Sequence, residues 1–180
     1  RLADKFIMVL TTFFVSMPSF IMGTLLLLLF AVQWMLVPAN GTVTGGLILP
    51  VITLSLYPAA YITRLTRSSM LEVLGQDYIR TARAKGVSGV RLVFFHALKN
   101  ALLPVITYLG PMIAAIVTGS LVVEQIFAVP GIGRTFVSSI TNRDYPLIMG
   151  TTIVLSVLIV TMNLLSDLLY KAVDPKIDLR

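Results

Sequence analysis

No charged residue occurs from Phe6 to Thr63, from Asn100 to Val123, or from Tyr145 to Ser166. A helix needs about 20 mostly apolar residues to cross the hydrocarbon of a bilayer. The second and third runs, of 24 and 22 residues, each suit one crossing. The first is too long for one crossing and is interrupted by VPANGTVTGG, residues 37–46, a Gly, Thr and Asn cluster that marks a turn. The pattern predicts an all-α, polytopic transmembrane helical bundle, a single domain over residues 1–180. Spanning helices are expected near 6–35, 47–70, 101–124 and 146–170, with connecting loops at 71–100 and 125–145. Composition agrees, because 12% of the chain is charged against about 25% in an average soluble protein.

Four crossings put residues 1–5, 64–99 and 171–180 on one side, with twelve of the fourteen Lys and Arg residues. The other side, residues 37–46 and 124–144, holds Arg134 and Arg143. By the positive-inside rule the first group faces the cytoplasm. Seven of these cations lie between Arg64 and Lys99. At roughly 3 kcal/mol each they would cost about 20 kcal/mol at mid-bilayer, so that block cannot span. Basic segments beside membrane helices also serve as orientation signals or contacts with anionic lipid. A nucleic-acid partner is not needed to explain the pI of 9.9. With no cysteine, disulfides and thiolate metal sites are excluded. No small-residue cleavage site follows a short apolar core near the start, so a secretory signal peptide is not expected. The first residue is Arg, which suits a fragment or a processed form.

Prolines punctuate the apolar runs at 18, 50, 58, 104 and 111. Pro104 is expected in the first turn of its helix, where a missing N–H costs little. Pro18, Pro58 and Pro111 are expected to kink or break theirs. Small residues recur in the third and fourth segments, Gly110, Ala114, Ala115, Thr118, Gly119 and Ser120 in one and Gly150 to Thr152 with Ser156 in the other. Such faces let membrane helices pack closely.

Asp77 to Lys85 reads as a short helix, with Asp77 as its cap, Lys85 in its last turn and Gly86 at the left-handed position beyond it. Ser88 is placed to cap a second helix towards Asn100. Val90, Val93, Phe94, Ala97, Leu98 and Ala101 follow the spacing of one apolar face of that helix, which would lie on the bundle or the membrane. The first helix has little apolar surface with which to fold on the bundle. Its small Ala82 and Gly86 suit entry into a groove on another protein.

At YIRTARAKGVSGVRLVFFHALKNALLPVIT, residues 78–107, the chain resembles the cytoplasmic loop of the membrane-spanning subunits of bacterial ABC importers. It most resembles the B-type permeases for oligopeptides, dipeptides and nickel. Arg80-Thr81-Ala82 stands where that family has Glu-Ala-Ala, and Gly86 and Leu103-Pro104 match its later landmarks. GSLVVEQIFAVPGIGRTFVSSITNRDYPLIMG, residues 119–150, is similar to the external segment of the same subclass, and LLSDLLYKAVDPKIDLR to its C-terminus. Family members carry further helices upstream, so the chain resembles a C-terminal transport core.

The resemblance implies a multi-pass subunit of the bacterial inner membrane. Its implied partners are a second, C-type permease, two cytoplasmic ATPase subunits, an external substrate-binding protein and membrane lipid. ATP and Mg would sit on the ATPases. The residues implied in coupling are Asp77, Tyr78, Arg80, Thr81, Ala82, Arg83, Lys85 and Gly86, with Arg80, Arg83 and Lys85 facing acidic groups of an ATPase. Glu124, Gln125, Pro130, Gly131 and Gly133 are candidates for an external gate or receptor contact. Asp167 and Lys171, four apart, are expected to pair.

There is no GxxxxGK[ST] loop for nucleotide and no HExxH pattern. PGIGR, residues 130–134, reads as a turn, and His96, the only histidine, as an interfacial side chain. An enzyme is therefore not expected. The runner-up to a peptide importer is a passive channel or an ion-coupled carrier, although the spans lack the central carboxylates that ion coupling favours. Nickel or another small ligand is the alternative cargo.

Overall fold

The computed structural model describes residues 2–117 and 119–173. Arg1, Thr118 and the stretch 174–180, with Lys176 and Arg180 of the charge count and the end of the C-terminal motif, lie outside the described residues. All regular structure among those described is helical.

Helix α1 (Leu2–Ser16) ends against Pro18, and α2 (Ser19–Leu26) restarts beyond it. Proline has no N–H and drives the residue before it out of helical geometry. The two arms consequently meet at 104°, so the single helix expected over 6–35 is a broken one. The second arm continues as a π-helical segment, Leu27–Gln33. The expected turn follows. Asn40 Oδ1 accepts from the backbone N–H and the hydroxyl of Thr42 at 3.0 and 2.9 Å, and Gly45 takes φ +82°.

Helix α3 (Ile48–Leu74) runs through Pro58 without a break and four residues past the expected end at 70. A short helix α4 (Asp77–Ala84) follows. Next come α5 (Gly89–Arg91), a second π segment (Leu92–Ala97) and α6 (Leu98–Ala101). Helix α7 (Leu103–Val117) starts with Pro104 in its first turn, as expected, and bends from the preceding segment by 46°. The third expected span does not continue as one helix to 124, because α8 (Leu121–Ile126) starts afresh with Ser120 as its cap. The expected loop 125–145 contains a further helix, α9 (Ile132–Asn142). PGIGR is therefore the start of a helix and not merely a turn. Helix α10 (Tyr145–Val173) closes the described chain, and Asp144 Oδ1 accepts from Leu147 N–H in its first turn at 3.1 Å.

Two helices, Ile48–Leu74 and Tyr145–Leu165, are long and apolar enough to cross a membrane, and up to four spans result if each bent pair counts as one. Helix α10 packs along α7, and α1 along α3. The buried core is split between the two ends of the bundle. At one end Leu49, Val123 and Phe127 join the α2 arm, the turn and α8. At the other, called here the basic end, Ile79, Leu92 and Ala97 gather Met70, Val73, Leu74, Ala82 and Val87. Between them the long helices stay exposed, with Ile153, Val157, Val160 and Leu164 at 56–66% exposure along α10. A helix this apolar and this uncovered needs lipid or another subunit around it.

Arg67 ties the start of α1 to the end of α3 at the basic end. Its Nε and Nη2 donate to Asp4 at 2.6 and 2.9 Å, a bidentate pair. The Asp167–Lys171 pair expected from spacing is not formed, and both side chains are exposed.

Candidate functional site

Helix α4 has two faces. Ile79 is 1% exposed and sits in the core of the basic end, with Ala82 half-buried beside it. This corrects the expectation that α4 has too little apolar surface to seat itself. Ile79 with Ala82 gives one inward stripe at i and i+3, and the end of α3 and the π segment supply the rest of the packing. Tyr78 adds a tie, its hydroxyl accepting from Asn100 Nδ2 at 2.7 Å.

Asp77, Arg80, Thr81 and Arg83 on the helix and Lys85 just beyond it are all exposed. Arg80 Nη1 and Asp77 Oδ1 are 3.4 Å apart, with side chains 74% and 96% exposed. A pair so open to solvent contributes little. Asp77 is not the cap. Gln76 occupies that position in extended geometry with no side-chain hydrogen bond, and Asp77 lies in the first turn, where its charge still suits the helix dipole.

The end of α4 is as expected. Gly86 has φ +80°, its N–H donates to Arg83 O at 3.0 Å, and Val87 N–H donates to Ala82 O at 3.2 Å. This is the Schellman arrangement, which needs a left-handed residue after the helix. A Cβ on Gly86 would meet nothing within 4 Å, so its backbone geometry is what calls for glycine.

The helix after Gly86 keeps only part of its expected face. Ala97 and Ala101 are buried and Val93 and Leu98 half-buried, as expected, but Val90 and Phe94 are 73% and 61% exposed, and Leu92, outside that face, is buried. The spacing from Leu92 to Ala97 is five residues because the segment between them is π-helical. The wider turn puts Leu92 on the buried side together with Ala97, which a period of 3.6 does not predict. Ser88 stands at the cap of α5 without a side-chain hydrogen bond.

At the far end the structure brings Glu124, Gly131 and Gly133 together. Glu124 Oε2 accepts the backbone N–H of Arg134 at 2.9 Å. Gly131, the N-cap of α9, has no side chain to offer, so a carboxylate from α8 caps the first turn of α9. Methyl groups on Gly119 or Gly131 would overlap that carboxylate, and one on Gly133 would lie 2.9 Å from Oε2. Arg134 closes the clasp by donating from Nη1 to Ala128 O at 3.0 Å. Gln125 and Pro130 are exposed and take no part in it.

Glu124→Ala should destabilise the α8–α9 junction by about 1–2 kcal/mol, the scale of a lost helix cap. Glu124→Gln, which keeps an acceptor oxygen, should lose less. Amide hydrogen exchange at Arg134 measures both. Equal protection in the alanine variant and the unsubstituted chain would contradict the cap.

Among the described residues no three His, Asp or Glu side chains come together.

An all-α bundle with a seated basic helix at one end and a clasped helix at the other invites comparison with transport proteins. Residues 1–179 match the family described as binding-protein-dependent transport system inner membrane component. The chain belongs to that family. Among its relatives, the dipeptide transport system permease protein DppB of Bacillus subtilis is 54% identical over 92% of this chain and 54% of its own length. The oligopeptide transport system permease protein OppB of Haemophilus influenzae is 46% identical over 97% of this chain and 58% of its own. DppB of Escherichia coli K12 is 40% identical over 90% and 57%. The family member in hand thus spans little more than half the length of these curated relatives.

Proposed function

We propose that the chain is the transport core of one permease subunit in an ATP-driven importer of peptides. A second permease, two ATPase subunits carrying ATP and Mg, and an external binding protein complete the assembly. The relatives named for dipeptide and oligopeptide transport support the cargo class. The observation that carries the mechanism is α4 itself, locked to the bundle by the buried Ile79 while Arg80, Arg83 and Lys85 stay exposed.

In this reading the basic end faces the cytoplasm, as the positive-inside rule requires, and α4 lies in a cleft of an ATPase. ATP moves the bundle only if the two states of the assembly bind nucleotide with different affinity. A helix anchored by a buried stripe passes such a difference on, whereas one hanging on exposed ion pairs would not. Glu124, Gln125 and the Pro130–Gly133 segment then face the binding protein, with the clasp holding α9 in a set orientation.

Reversing the charge of Arg80 and Arg83 to Glu should lower ATP-driven peptide uptake about five-fold, from roughly 1 kcal/mol of exposed pairing lost. Acid-to-base changes on the ATPase cleft should restore part of it. Uptake that continues in vesicles lacking the ATPase subunits would favour a passive channel or ion-coupled carrier and end this reading.

A further inference from the structure

Three tyrosines line up across two helices of the bundle. The rings of Tyr57 and Tyr61 stack with centroids 6.2 Å apart, and Tyr61 meets Tyr108 of α7 at 4.4 Å. Thr53, Tyr57, Tyr61 and Arg64 follow one another at four-, four- and three-residue steps, which places them on one face of α3. Two open cavities flank that face. One, about 460 Å³, lies at the Pro18 break and is lined by Ser16, Ser19, Thr53 and Tyr57 among others. The other, about 430 Å³, includes Tyr61, Arg64 and Arg67. Val15 lines both, so they are neighbouring parts of one groove. Each falls within the roughly 300–1,000 Å³ of small-ligand sites.

The groove is lined largely by apolar side chains, but its phenols set it apart from a surface that meets lipid alone. Tyrosines that anchor a helix in a membrane sit at the interfaces. Tyr57 stands nine residues beyond Ile48, about 14 Å along the axis, near mid-depth of a roughly 30 Å hydrocarbon layer. Among the described residues nothing hydrogen-bonds to the hydroxyls of Tyr57, Tyr61 or Tyr108, and Tyr57 is 44% exposed. Pro58 leaves the carbonyl of Leu54, another lining residue, without its i+4 donor. Polar backbone and phenols at that depth belong where a helix faces a polar path. The lipid-exposed pattern in this molecule is that of α10, where Ile153, Val157, Val160 and Leu164 carry the surface.

We infer that the α3 face from Thr53 to Arg64, with Tyr108 opposite, is the stretch of transport path contributed by this chain, and that it holds a passing peptide by its main chain. The inference rests on the function proposed above. A phenol donates to a peptide carbonyl and accepts from a peptide N–H, contacts that do not depend on the peptide's side chains. The stacked rings give apolar side chains a surface. From Thr53 to Arg64 the strip is about 17 Å long, more than half the hydrocarbon thickness, so successive tyrosines can pass a peptide along without a deep binding site.

The test uses the complete transporter in liposomes. The 180 residues contain no cysteine, so Tyr57→Cys, Tyr61→Cys and Tyr108→Cys each introduce one thiol into this chain, and exposed Thr44→Cys in the turn is the control. Labelling with a membrane-impermeant methanethiosulfonate is followed with and without nucleotide and vanadate, and with a mixture of di-, tri- and tetra-alanine. All three cysteines should label in at least one nucleotide state. The alanine peptides should slow labelling at 57 and 61 by about five-fold, as expected when peptide fills four-fifths of the sites. Tyr→Phe at all three positions keeps the rings and should raise the KM for uptake about ten-fold with kcat held, the mark of lost uniform binding.

If Thr44→Cys labels while none of the three does in any state, lipid or another helix covers the groove and the inference is overturned. Labelling without peptide protection, together with normal uptake by the Phe variants, overturns it as well. Absence of ATP-driven peptide uptake in the unsubstituted assembly would instead sink the functional reading beneath it.

Discussion

Truncating Ile79 to alanine should cut ATP-driven uptake by more than ten-fold while the transporter remains inserted and assembled in the membrane. Ile79 is the single residue by which α4 is anchored deep in the basic-end core, against Leu92 and Ala97. Removing its side chain beyond Cβ leaves a cavity at a site walled by helix ends, and such changes cost about 2–5 kcal/mol. Because 1.4 kcal/mol is a factor of ten in an equilibrium, the seated fraction of α4 would fall by at least about 25-fold relative to the unseated one. The outward charges would remain, so an ATPase could still bind, but force would no longer pass through a fixed helix. ATP hydrolysis and uptake should separate, with turnover persisting and transport lost. Ile79→Val, at about 0.5–1.5 kcal/mol, should leave most uptake in place. Uptake by the alanine variant at the unsubstituted rate would show that the seat of α4 is not what transmits the motion.

The second large effect is expected at the other end. Phe127 is fully buried, with Leu49 and Val123 around it. Its ring lies where a Cβ on Gly23 would come within 3.3 Å, so α2 reaches the ring closely only because residue 23 is glycine. Its carbonyl accepts from Gly41 N–H at 2.7 Å, which binds the 37–46 turn to the same point. Four separate pieces of chain therefore meet at this residue, α2 and α3 around its ring and the turn on its carbonyl, with α8 leading into it. Phe127→Ala should cost about 3–5 kcal/mol, read as a lowered unfolding temperature in detergent or nanodiscs and as early protease cleavage in the turn. Phe127→Leu, closer in volume, should recover much of the loss. A transition unchanged by the alanine substitution would mean that this cluster does not hold the far end together.

How much of this could be read beforehand differs from element to element. The uncharged runs and Pro18 marked where α1 and α2 part, since a missing N–H is a local property. The size of the bend was not readable, because a missing N–H marks a break without setting an angle. Gly86 was legible as the end of α4 for the same local reason. The inward turn of Ile79 was hidden because α4 is strongly charged and only its neighbours in space supply the apolar surface. Ala97 and Ala101 were read on the correct face, but Leu92 was left off it and Val90 and Phe94 were put on it, because the π-helical turn between them is not announced by the residues themselves. Helix α9 was missed because its start, Pro130 to Gly133, has the composition of a turn. The missing cap comes from Glu124, ten residues before Arg134 and on another helix. A side chain that serves a distant backbone leaves no spacing signal.

Helix α3 belongs to both cores: Leu49 near its start lies in one, and Met70 and Val73 near its end lie in the other. It behaves as a beam clamped at two bearings, about 40 Å from tip to tip. A tilt of about 5° at one bearing displaces the opposite tip by roughly 3–4 Å. A small rotation at one end of α3 thereby becomes a displacement of several ångströms at the other.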